Sequence, residues 1–168
     1  MIMDNLTEFC DAVSVAAVAG TANVGDIIDT LPAGITPLLA GDPLTGQGDE
    51  VFLVITVESA TPPATDGIIA GSAGTIAFRL VSDATSTIST TTATVHYTSK
   101  AFVTDVAGTT SLPAGTIAVV TKLPADLTYE RFLGVQTIIA TATVTAGRIN
   151  AFLTTDARKW KSYADAIN

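Results

Sequence analysis

Tyr129-Glu130-Arg131-Phe132-Leu133-Gly134-Val135-Gln136-Thr137-Ile138-Ile139, then Ala142-Thr143-Val144-Thr145-Ala146-Gly147, then Arg148-Ile149-Asn150-Ala151-Phe152-Leu153: these three runs, inside the stretch from Lys122 to Asp156, decide the fold. The first mixes aromatic, β-branched and polar residues over the length of a long strand. The second is a small-residue turn. The third alternates with a period of two, which buries one face and exposes the other, as in the half-covered sheet of an all-β domain. The pattern predicts the central hairpin of a β-sandwich. No residue in it points to catalysis, so function is to be sought on the surfaces that such a sandwich offers to partners.

Working outward, the same periodicity recurs. Val51 to Glu58 places Val51, Leu53, Ile55 and Val57 on one face, with Phe52 and Val54 on the other, so both sides are expected to be covered. Thr75 to Ser82 turns Ile76, Phe78 and Leu80 inward, residues 93–104 give one or two strands, and Thr116 to Thr121 gives another. Polar or Pro/Gly-rich segments at 31–50, 59–74 and 83–92 separate them. Leu-Pro-Ala-Gly occurs twice, at Leu31 and Leu112, without matching flanks, and reads as one turn type used twice. About seven or eight strands at this spacing predict a single-domain β-sandwich or jelly roll over residues 1–168. Residues 1–30 read as a mostly extended N-terminal arm. Residues 157–168, with Trp160 and Tyr163, read as a short C-terminal docking tail.

A chain of 168 residues is long enough for one domain with a proper core. Charged residues make up 14%, well below the roughly 25% of average domains, and Thr, Ala, Gly and Ser fill the gap. Such a skin loses little solvation when copies or a scaffold cover it. Residues 1–66 hold ten Asp or Glu and no Lys or Arg; residues 67–168 hold six acidic and eight basic residues, so −10 and +2 give the net −8. An acidic chain without a basic stripe lacks the phosphate-neutralising footprint of a nucleic-acid binder. The split instead suggests oriented docking, against the plainer reading of solvated charge. Cys10 is alone, so neither an intrachain disulfide nor a thiolate metal cluster is expected, and folding in a reducing cytoplasm is compatible. The apolar run Val51–Ile55 is far short of a spanning helix, and Ala12–Gly20 follows Asp4, Glu8 and Asp11 rather than the basic residues of a signal peptide.

Catalytic and ligand motifs are missing. His96 is the only histidine, in a strand-like context without a nucleophile elbow. Gly67, Gly71 and Gly74 lack phosphate-loop spacing. Asp42, Gly46, Gly48, Asp49 and Glu50 could gather round a hard cation, but their spacing is not that of an EF-hand, and no metal is assigned. Glu58, Asp126 and Glu130 show no pattern of a paired-carboxylate cleft. The expectation is no enzyme, no cofactor, no small-molecule substrate and no membrane.

Three stretches carry a resemblance: Met1 to Ala12 with Thr21 to Asp29; Leu123-Pro124 with Tyr129 to Leu133; and Thr145 to Leu153 followed by Trp160-Lys161-Ser162-Tyr163-Ala164-Asp165-Ala166. Together they cover about half the chain, which resembles the capsid cement, or decoration, proteins of tailed bacteriophages. The resemblance implies a jelly roll on the outer surface of the virion, a homotrimer, and binding to the major capsid protein without catalysis or cofactor. Within that frame Arg148, Arg158, Lys159 and Lys161 are expected to face acidic groups on the shell or a sister subunit, with Trp160 and Tyr163 docking the tail. The other class is a carbohydrate- or receptor-binding β-sandwich displayed on a virion, for which the aromatic content of 6% is thin.

Overall fold

The computed structural model of the protein has eleven β-strands and no helix among the described residues; nine of the strands build two facing sheets and the other two pair as a separate short ribbon. The structure describes residues 7–30, 50–58, 67–70, 72–105, 110–124 and 127–156. Eight strands carry the architecture: β1 (Glu8–Ser14), β2 (Gly20–Asp29), β3 (Phe52–Glu58), β5 (Gly74–Asp83), β6 (Thr94–Thr98), β8 (Ile117–Lys122), β9 (Phe132–Ala140) and β11 (Arg148–Thr154). Three short strands, β4 (Ile69–Ala70), β7 (Phe102–Thr104) and β10 (Val144–Ala146), complete the set.

One sheet has the order β1-β11-β3-β8 and the other β2-β9-β5-β6, with β7 pairing the remaining half of β5. Of the eight main strands, the first pairs with the last, the second with the second-last, the third with the third-last, and the middle two with each other. All these pairings are antiparallel. That is an antiparallel ribbon rolled into two sheets, the jelly roll.

The roll corrects the expected hairpin. β9 and β11 both present an apolar face, but they belong to opposite sheets: β9 lies between β2 and β5, and β11 between β1 and β3. The chain crosses between the sheets over residues 141–147, where Thr141 and Gly147 have φ of 74° and 136° and β10 pairs with β4. Gly147 is required there, because a Cβ would lie 2.8 Å from Ile68. Over residues 8–29 the expected arm is likewise built into the sandwich, as the edge strands β1 and β2.

The core lies between the sheets. Leu53, Ile55 and Val57 of β3 with Ile149, Ala151 and Leu153 of β11 face Ile76, Phe78 and Leu80 of β5 with Leu133, Val135 and Ile139 of β9. Each such aliphatic or aromatic side chain contributes roughly 1.5–3 kcal/mol by leaving water. Val54 and Phe152, cross-strand partners on the outer face of their sheet, are buried as well, as expected for a strand covered on both sides.

Residues 15–19, 67–70, 72–73, 110–116 and 141–147 meet at one end. There the backbone closes the sandwich: Ala17 bridges Val144, Ala70 pairs with Val144, and the Ile68 amide donates to Leu112 O at 2.9 Å. Ile68, Leu112 and Val144 are buried beneath. The opposite end is closed by side chains. A strap formed by residues 84–93 is held by Asp83, whose carboxylate accepts the amides of Ser89 (3.0 Å) and Thr85 (3.1 Å). Ile88 of the strap lies over Gly134, where a Cβ would come within 2.5 Å of its Cδ1.

Candidate interaction surfaces

The histidine expected on a strand face is on one, turned by a bulge. Leu80 and Val81 are adjacent on β5, yet they pair with Tyr97 and Val95, so His96 is the extra residue of β6. Its Nε2 lies 2.7 Å from Ser82 Oγ, which also accepts the Glu130 amide at 3.1 Å. The ring packs on Tyr129 with centroids 4.1 Å apart, and Tyr129 donates its hydroxyl to Pro124 O at 2.9 Å. Burial pushes the His96 pKa below its ordinary value. Nδ1 is buried without a partner, so no carboxylate orients the imidazole, and Ser82 is wholly enclosed. A Ser–His pair of this kind has no route to a substrate carbonyl and no third group to set its tautomer. It ties β5, β6 and the segment before β9 together.

Cys10 is equally enclosed. Burial pushes its thiol up to about 12, and Sγ contacts Ile149 O at 3.6 Å, so no thiolate nucleophile is present. Among the described residues no three His, Cys, Asp or Glu side chains gather as a metal site. Asp42, Asp49 and Asp126 lie outside the described residues. Glu50 pairs with Lys122 at 2.6 Å, and Glu58 accepts from the Asn150 amide. Every aromatic ring among the described residues is buried or half-buried, so none of these offers a flat exposed platform for a sugar.

The charge split along the sequence is partly consumed inside the subunit. Rolling the ribbon lays early strands beside late ones, so acids of the first half meet bases of the second. Arg131, preceding β9, makes a two-pronged bond to Asp29 of β2, with both N···O distances 2.8 Å. Asp29 holds the Arg131 pKa above its ordinary value. Lys122 of β8 pairs with Glu50 beside β3 in the same way. Among the described residues Glu8, Asp11 and Asp26, on the β1–β2 margin, have no ion pair; burial, then Asp11 and Asp26, push Glu8 upward.

Arg148, an expected partner-facing residue, is exposed at the start of β11, cross-strand from Glu58, and has no ion pair among the described residues. Arg158, Lys159, Trp160, Lys161 and Tyr163 lie outside the described residues. Arg148 and Asp156 stand eight residues apart, about 26 Å along an extended strand, so Arg148 belongs to the opposite end from the point where the described chain stops. One cation escaped the sequence reading: Arg79, whose outward position was implied once Ile76, Phe78 and Leu80 were placed inward.

The fold defines the class, an eight-stranded jelly roll with short added strands. The comparison with known families goes one step further. The family model described as Bbp16 matches residues 9–153, from the second residue of β1 to the sixth of β11, and the chain belongs to that family. No curated protein matches the chain.

Proposed function

We propose that this protein is a capsid cement protein of a bacteriophage, which binds the outer surface of the head and bridges neighbouring major capsid protein subunits. The observation that carries the reading is the whole-sandwich match to the Bbp16 family, on a jelly roll whose Ser82 and Cys10 are enclosed and whose β1–β2 margin carries Glu8, Asp11 and Asp26 with no cation paired to them among the described residues. The resemblance in the termini and in residues 123–153 points the same way. The subunit is made in the host cytoplasm and acts on the virion as a homo-oligomer, the trimer implied by the resemblance.

Its mechanism is mechanical. A packaged genome strains the shell outward, and a rigid subunit touching two or more capsid proteins resists their separation. Each contact can be weak. Engaging several at once raises the effective concentration of the remaining contacts, so release slows by a factor of 10²–10⁴ without a new bond. Heads lacking the protein should release DNA to an external dye at a lower temperature than heads to which it has been added back. An identical release temperature with the protein bound would overturn the proposal.

A further inference from the structure

Arg79 sits in the middle of the outer face of the β2-β9-β5-β6 sheet. Its neighbours Phe78 and Leu80 point into the core, so its own side chain points out. The row across the sheet through it reads Asn23, Gln136, Arg79, Thr98, and contains no carboxylate. Gln136 is satisfied by Asn23 Oδ1 at 2.9 Å and Ser89 O at 3.0 Å. Arg79 is not: its Nε is buried with no hydrogen-bond partner, and it makes no ion pair among the described residues. On one side Ala77, Val81 and Gln136 are buried, the last bonded to Ser89 O of the strap, while Thr98, Val95 and Val103 on β6 and β7 are exposed and leave that side open. A partly desolvated guanidinium without a partner is costly alone and strongly attractive to a carboxylate, which its fork can grip two-pronged.

The complementary surface is on the same subunit, facing elsewhere. β1 and β2 are edge strands of the two sheets on one side of the sandwich, in contact where Gly25 backs onto Phe9 and Cys10. Asp11 and Asp26 are exposed there, beside Glu8, with no cation paired to them among the described residues. Arg79, on β5, lies toward the opposite edge, next to β6. The two surfaces cannot meet within one molecule, but they can meet between molecules.

We infer that the outer face around Arg79 receives the acidic β1–β2 margin of a second copy of this chain, with Arg79 gripping a carboxylate of Asp11 or Asp26. Two different patches are used, so the contact is head-to-tail, and such contacts generate rings when the rotation closes. The contact deepens the self-association proposed above and does not depend on attachment to a head.

The test uses the full chain in solution without heads, by sedimentation equilibrium at low and high salt. The wild type should form an oligomer that weakens with salt. Arg79→Gln should weaken association roughly thirtyfold or more, the loss expected on removing one partner of a buried charge pair. Asp11→Asn with Asp26→Asn, on an exposed margin where folding is not at stake, should weaken it similarly. Arg79→Glu combined with Asp11→Arg and Asp26→Arg should restore it. Wild-type oligomers that persist unchanged in both the Arg79→Gln and the Asp11→Asn/Asp26→Asn variants would overturn this contact while leaving self-association standing. A wild type that stays monomeric at all concentrations would overturn both.

Discussion

The two ends of the sandwich are closed by different means. At the end where residues 15–19, 67–70, 72–73, 110–116 and 141–147 meet, backbone pairs with backbone over buried Ile68, Leu112 and Val144. At the other end Asp29–Arg131, Glu50–Lys122, the Asp83 strap and the Ser82–His96–Tyr129 stack do the closing, largely through side chains. Backbone closure over apolar groups is insensitive to pH and salt; closure by charges and an imidazole is not. The difference places most stability at the first end and most sensitivity to conditions at the second.

The largest effect should come from the first end. Leu112→Ala removes a fully buried side chain under interlocked loops that cannot readily collapse, so it should cost about 2–5 kcal/mol in denaturant unfolding. A loss well under 1 kcal/mol would show that this end is not where the fold is held.

An intermediate effect belongs to His96. Burial holds its folded pKa below the unfolded value of about 6.5, so the folded state binds fewer protons between the two values. Its contribution is therefore fully present above about pH 6.5 and lost as pH falls toward the folded pKa. The stability of the wild type should drop between pH 7.5 and 5 more steeply than that of His96→Asn. Parallel profiles would remove the imidazole from the account.

The smallest effect should come from the ion pairs. Asp29 and Arg131 are 31% and 44% exposed in their side chains, so solvent screens the bond. Asp29→Asn should shift unfolding barely measurably at low salt and not at all at 1 M salt. A large, salt-independent loss would mean that the second end is as structural as the first.

Much of this was legible in the residues. Alternation in 51–58, 75–82, 116–121 and 148–153 identifies strands because each must bury one face. It does not identify partners, which is why β9 and β11 read as a hairpin although they line the core from opposite sheets. β1 and β2 were read as an arm for another reason. Irregular register between Cys10 and Val13, and between Val24 and Ile28, breaks the period of two that would have marked them. The charge split was plain in the sequence, but not its fate, since rolling the ribbon pairs Asp29 and Glu50 with bases about 102 and 72 positions away. Arg79 was visible only as an outward position; that it lacks a partner depends on three other strands. The tail residues Arg158 to Tyr163 lie outside the described residues, and their docking role rests on their charge and aromatic pattern and on the resemblance.

The central claim, that the protein acts by bridging an assembled shell, is tested most directly by binding labelled full-length protein to expanded heads and, separately, to isolated major capsid protein. The account predicts saturable binding with slow release on heads and much faster release from isolated subunits, because only the shell offers several contacts at once. Equal release from both, or no binding to heads, would contradict it.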